Sequence, residues 1–213
     1  LKATAVLPVK RFAAAKQRLA PGIGSTHRAE LAAAMLEDVL EAIEATRSIE
    51  QTIVVTSEPR AIDISVAREI AVLPDPDEGG HSGAALGGIE WAMELGARLV
   101  VLLPIDCPLL APRELERLLT GVPERYVGIV PDRHGTGTNA LALAPPNAIE
   151  PSFGEGSCAR HVAAARAGGV PFNVEELPSL ALDLDTPADV VALTMALERD
   201  RSRARRTAKA LGI

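Results

Sequence analysis

The chain has 213 residues, 47% of them hydrophobic and 23% charged, with a formal net charge of −6. That is enough apolar material for one core but no continuous membrane span, and the acidic balance excludes a surface that attracts nucleic acid or anionic lipid as a whole. Aromatic residues are only 2%, which excludes base-stacking platforms, and Cys107 and Cys158 form neither a CxxC pair nor a disulfide framework.

"ATAVLPV" (3–9) reads as a first strand. The start "LKATAVLPVK" lacks the apolar core and cleavage site of a signal peptide, so a cytoplasmic protein is expected. A helix begins near Thr26 and carries Leu31, Met35, Leu36, Val39, Leu40 and Ile43 on one face. Strand 51–57 follows, then a short helix with Pro59 in its first turn, strand 70–75, and a helix over 83–95 ended by Gly96. "RLVVLLPID" (98–106) shows no alternation, as expected of a strand buried on both faces. Helix 112–120, strands 126–132 and 139–144, and a helix over 158–167 come next. The pattern closes with strand 180–184, helix 187–199 and a basic stretch, about 199–213, read as a solvated tail.

Alternating short strands and longer helices predict βαβ units on a mostly parallel sheet, and the tight connection between 126–132 and 139–144 makes that sheet mixed. Neither a repeat nor a linker divides the sequence, so one domain over 1–213 is expected.

Five stretches carry candidate chemistry. Lys10, Arg11, Lys16 and Arg18 follow the first strand, where open α/β sheets bind ligands; they suit a triphosphate, or they form a solvated turn. Asp106 in "PIDCPLL" can ligate a hard cation such as Mg²⁺ or cap a turn. "DRHGTGTNA" has the small residues of an anion-wrapping loop and equally those of a hairpin. "SFGEGSCARH" places Gly154, Gly156 and Ser157 before a helix, where exposed amides attract anions or Ser157 acts as an ordinary cap. His161 is read as a helix residue. In "DLDTP", Asp183 and Asp185 are two apart and share one side of a strand, with Thr186 and Pro187 starting the next helix.

"PVKRFAAAKQRLAP", "PIDCPLL", "DRHGTGTNAL", "FGEGSCARH" and "LDLDTPADV", in this order over nearly the whole chain, resemble the CofC/FbiD family of guanylyltransferases within the MobA-like nucleotidyltransferases. The resemblance implies a three-layer α/β/α, Rossmann-like nucleotidyltransferase fold with a central mixed, mostly parallel sheet. It implies transfer of GMP from GTP to phosphoenolpyruvate or 2-phospho-L-lactate with release of pyrophosphate, in coenzyme F-420 biosynthesis. The implied roles are Mg²⁺ on Asp106 and Asp185, the acceptor on Thr138, Gly154 and Ser157, and Lys10, Lys16 and Arg18 facing the triphosphate. Its partners are small molecules, with no nucleic acid or membrane and with a homodimer left open. Where family members carry a nucleotide-contacting leucine-asparagine pair, this chain has "EGGHSGAALGGIEWA" (78–92) and offers Ala85, Leu86, Gly87 and Gly88. The competing readings are a MobA-like transferase with another nucleotide or acceptor, such as 3-phosphoglycerate or a sugar phosphate, and a non-catalytic nucleotide-binding protein. The latter would expect loss of a carboxylate or basic-loop residue, and none is lost.

Overall fold

A computed structural model describes residues 1–12, 24–75, 80–200 and 202–213. Among them seven strands form one sheet, β1 Ala3–Val9, β2 Ile49–Thr56, β3 Ala71–Leu73, β4 Val100–Leu102, β5 Tyr126–Pro131, β6 Thr138–Ala144 and β7 Phe172–Val174, in the order β3-β2-β1-β4-β6-β5-β7. All neighbours are parallel except β6, which runs antiparallel to β4 and β5. The helices are α1 Ser25–Glu44, α2 Pro59–Val66, α3 Gly80–Glu94, α4 Pro112–Leu119, α5 Ser157–Ala167, α6 Pro178–Ala181, α7 Pro187–Arg199 and α8 Arg205–Leu211. This is the expected three-layer α/β fold with a mixed, mostly parallel sheet. None of the helices described is long and apolar enough to cross a membrane.

The period-2 alternation of the strands sorts the core into two halves. On one face Ala3, Ala5, Leu7 and Val9 of β1, with Ala140, Ala142 and Ala144 of β6, pack with Leu31, Met35 and Leu36 of α1, Leu115 of α4 and Leu193 of α7. On the other, Val6, Val100, Leu102, Leu141 and Leu143 pack with Ala84, Ala85 and Ile89 of α3 and Cys158 and Ala165 of α5. Helix α3 presses so closely on the sheet that a Cβ at Gly88 would stand 2.9 Å from Val55 Cγ2 and closer still to Val6 Cγ1. Packing therefore demands glycine in this otherwise departing segment.

The structure corrects three expectations. The predicted strand 180–184 is absent: Pro178 starts the helical turn α6, and Leu184 then donates its N–H to the carbonyl of Asp106 at 2.9 Å. Strand β7 is new; at three residues it is too short to show alternation. The basic end is no solvated tail. It forms α8, in which Thr207 is fully buried. Its cations meet an acidic face of α1 that periodicity assigns to solvent. Arg206 pairs with Glu37 at 3.1 Å and with Glu41, and the buried Asp38 accepts the Thr207 N–H at 2.8 Å and its hydroxyl at 2.7 Å.

Asp38→Ala should orphan the Thr207 donors and free α8 from α1, lowering stability by about 2–4 kcal/mol. Urea unfolding with limited proteolysis at the C-terminal segment measures it; an unchanged midpoint refutes this account of α8.

Candidate functional site

The parallel strands β1, β2, β3 and β4 end on one rim of the sheet, and because β6 is antiparallel its first residue, Thr138, stands on that same rim. Such a rim is where open α/β sheets hold ligands. Here a cleft of about 620 Å³ is lined by Asp106, Thr138, Gly154, Ser157, Asp183 and Asp185, together with His81, Asp132, Arg133, Phe153 and Asp189. The structure thus brings together two of the groups selected from the sequence, the carboxylates Asp106 and Asp185 and the residues Thr138, Gly154 and Ser157. Of the basic loop, Lys10 stands exposed at the rim, while Lys16 and Arg18 lie outside the described residues. The loop's start is tied down by Phe12, buried, whose N–H donates to Glu58 Oε2 at 2.9 Å.

At the carboxylate end, Asp106 lies beyond β4 rather than closing it, since β4 stops at Leu102. Leu184 is buried between Asp183 and Asp185, which both line the cleft. Burial raises the Asp183 pKa, and the charges of Asp106 and then Asp185 raise it further, against a hydrogen bond from Asn139. Asp183 thus sits in the field of two further carboxylates, and a divalent cation would relieve that repulsion. Among the described residues no three His, Cys, Asp or Glu side chains form a ready-made metal cage. Mg²⁺, which takes one or two carboxylates and completes its shell with phosphate oxygens and water, does not require one.

Sequence reasoning missed what holds this end in place. Asp189, nearly fully buried, accepts the N–H groups of Asp185 at 3.0 Å and Thr186 at 2.6 Å and the Thr186 hydroxyl at 2.8 Å. Its other oxygen pairs with Arg133 at 2.6 Å. An aspartate three residues past a threonine cap was the available signal.

The glycine-rich loop is organised around its own aspartate. Asp132 accepts N–H groups from His134 at 3.0 Å, Thr136 at 3.0 Å and Gly137 at 2.9 Å. Burial alone would raise its pKa, but these amides outweigh burial and lower it. A Cβ on Gly137 would stand 2.6 Å from Asp132 Oδ2, so glycine is required there. These amides hold Asp132 and are not open to a phosphate.

At the other end of the cleft, α5 starts at Ser157 with Gly156, at φ +71°, as its cap, so Ser157 is not the cap. The Ser157 residue is 1% exposed, yet its Oγ has no hydrogen-bond partner among the described residues. A buried hydroxyl without a partner costs free energy unless a ligand supplies one, and this one lines the cleft at the amide end of an 11-residue helix.

Two histidines also belong to the site. His161, fully buried, lies 3.0 Å through Nδ1 from Thr138 Oγ1 and accepts the Ser152 N–H at Nε2 at 2.9 Å. It is therefore more than a helix residue; its place four residues after Ser157, on the same helix face, was the signal. Burial, and then the Arg160 charge, lower its pKa to about 4. His81, at the start of α3, packs edge-on against Phe153 with ring centroids 4.8 Å apart. Burial lowers its pKa, with Asp106 opposing and Lys10 adding to the shift. The neighbouring Ser82 hydroxyl accepts the Phe153 N–H at 2.9 Å, so the atypical segment supports the loop that carries Gly154. The thiols show no sign of nucleophilic use: Cys107 is fully buried, and burial, then Asp132, raises the Cys158 pKa.

A family model described as guanylyl transferase, CofC like, matches residues 3–213. A phosphoenolpyruvate guanylyltransferase of Conexibacter woesei is 45% identical over 206 residues, covering 95% of this chain and 92% of that protein. Another, of Sphaerobacter thermophilus, is 40% identical over 189 residues, covering 89% and 91%. A solved nucleotidyl transferase from Methanothermobacter superposes with a TM-score of 0.67 at 18% identity, covering 93% of this chain and 98% of that one, a likeness of fold.

The low pKa of His161 carries a sign. Between its ordinary value of 6.5 and about 4, the unfolded chain takes up a proton that the folded chain refuses, so the His161 contribution to stability is present above that window and lost as pH falls through it. Urea midpoints should fall from pH 7 to 4.5 in the native chain and fall less steeply in His161→Phe; parallel slopes refute the assignment.

Proposed function

The chain belongs to the CofC-like guanylyl transferase family, and on that premise we propose that it transfers GMP from GTP to phosphoenolpyruvate, releasing pyrophosphate. Phosphoenolpyruvate is preferred over 2-phospho-L-lactate because the relatives above carry it in their names. The observation that carries the reading is the buried Ser157 hydroxyl, without a partner among the described residues, in the same cleft as Asp106, Asp183 and Asp185. One end of the cleft suits an anion and the other a cation.

The acceptor's phosphate oxygen attacks the α-phosphorus of GTP, a new phosphorus–oxygen bond forms, and the bond to the β-phosphate bridging oxygen breaks. A phosphate monoester is already largely ionised at neutral pH, with a second pKa of about 6, so no general base is needed. This agrees with a site whose histidines, His81 and His161, are both lowered toward neutrality. The work left to the protein is to bring two polyanions together in line. Ser157 Oγ and the Thr138 hydroxyl hold the acceptor, and the positive charges of Lys10, Lys16 and Arg18 serve to neutralise the triphosphate. Asp106 and Asp185 would hold Mg²⁺, joined by Asp183, whose proton affinity is raised by burial and then by the Asp106 and Asp185 charges. Bound there, the ion would neutralise phosphate charge as the α-phosphorus is attacked.

Asp106→Asn and Asp185→Asn should each lower turnover at least about a hundredfold, and Asp183→Asn more than about tenfold, without loss of fold. Pyrophosphate release from GTP, Mg²⁺ and phosphoenolpyruvate measures this, with product mass identifying the GMP conjugate. Near-native rates in all three variants would sink the metal assignment. If other nucleotides or acceptors, 2-phospho-L-lactate and 3-phosphoglycerate included, are used faster, the substrate assignment falls.

A further inference from the structure

The hydrogen bonding of Thr138 can be followed atom by atom. The Ser152 N–H can only donate, so His161 Nε2, 2.9 Å away, is a bare acceptor. A neutral ring with Nε2 bare carries its proton on Nδ1, and Nδ1 lies 3.0 Å from Thr138 Oγ1. Thr138 Oγ1 therefore accepts from the ring. Among the described residues no acceptor takes its own proton, and the side chain lines the cleft.

The far end of this relay is also fixed. Arg160, next to His161, donates to the Ser152 hydroxyl at 2.9 Å, to the carbonyls of Ser152 at 3.0 Å and Phe153 at 3.1 Å, and to that of Glu155. The loop that supplies the Ser152 amide is thereby clamped from α5, and Phe153 closes edge-on over the His161 ring at 5.4 Å.

We propose that His161 is a positioning residue that fixes the Thr138 hydroxyl as a hydrogen-bond donor aimed into the cleft, matched to an anionic oxygen of the acceptor. A phosphate or carboxylate oxygen has only lone pairs to offer, so a threonine free to turn its own lone pair outward would repel it. Spending that lone pair on Nδ1–H leaves the proton as the group to present. Burial and the Arg160 charge, which keep the ring neutral, maintain this arrangement at physiological pH. The identity of the anion rests on the phosphoenolpyruvate reading above; the direction of the Thr138 proton does not.

Steady-state kinetics of His161→Phe, Thr138→Val and the double variant test the proposal, together with imidazole ¹⁵N NMR of the native chain. His161→Phe should raise the KM for phosphoenolpyruvate about tenfold, with kcat within about threefold and the KM for GTP within about twofold. Thr138→Val should do the same, and the double variant should be no worse than Thr138→Val alone. His161→Asn, whose amide nitrogen can stand where Nδ1 does, should recover part of the loss. An unchanged acceptor KM in His161→Phe, equal rises for both substrates, or effects that multiply in the double variant overturn the proposal. The NMR arm needs no turnover and covers the case in which a variant fails to fold: an Nδ1–H tautomer near pH 7 supports the proposal, and an Nε2–H tautomer or an imidazolium overturns it. If the native chain makes no GMP conjugate of phosphoenolpyruvate, the functional reading fails, while the tautomer still decides the role of His161.

Discussion

Strand β1 has no exposed side: every residue from Ala3 to Val9 is buried, so helices must cover it from both faces and its backbone groups must be met by neighbouring strands. Parallel partners β2 and β4 meet that demand, and in doing so they bring their carboxyl ends to one rim. The antiparallel β6 then returns Thr138 to the same place. The position of the cleft is a consequence of how the core strand is buried.

On that rim the fold separates two kinds of polar support. Asp132 and Asp189 have their acceptor capacity filled by loop amides, a hydroxyl and Arg133, and they serve to hold loops in place. Asp183 is half-buried within the fields of Asp106 and Asp185, and the Ser157 hydroxyl is left without a partner among the described residues. Satisfied groups build the walls of the site, and unsatisfied or crowded ones mark where ligands are expected.

Much of this was legible because period and punctuation are local. The apolar face of α1, Pro59 opening α2 and the unbroken run leading into β4 all carry their signal in adjacent residues. The tail was misread because Thr207 is buried by Asp38, on a helix far away in sequence, and no local pattern reports such a pairing. Both aspartates of "DLDTP" line the cleft, but not on the expected strand: they share a side because Leu184 is drawn inward to the Asp106 carbonyl. His161 and Asp189 escaped notice for a common reason. Each acts on another residue of the site, and sequence displays the group that touches a ligand more readily than the one that holds it still.

The close approach at Gly88 links the core to the chemistry. Helix α3 rests on Val6 and Val55 at one point and begins with His81 and Ser82, which touch Phe153 in the loop that carries Gly154. A single methyl group added beneath α3 would thus be transmitted along a rigid helix to the loop at its far end. Glycine at position 88 acts as a spacer gauge, setting the gap between sheet and helix and with it the height at which the Phe153–Gly154 loop hangs over the cleft.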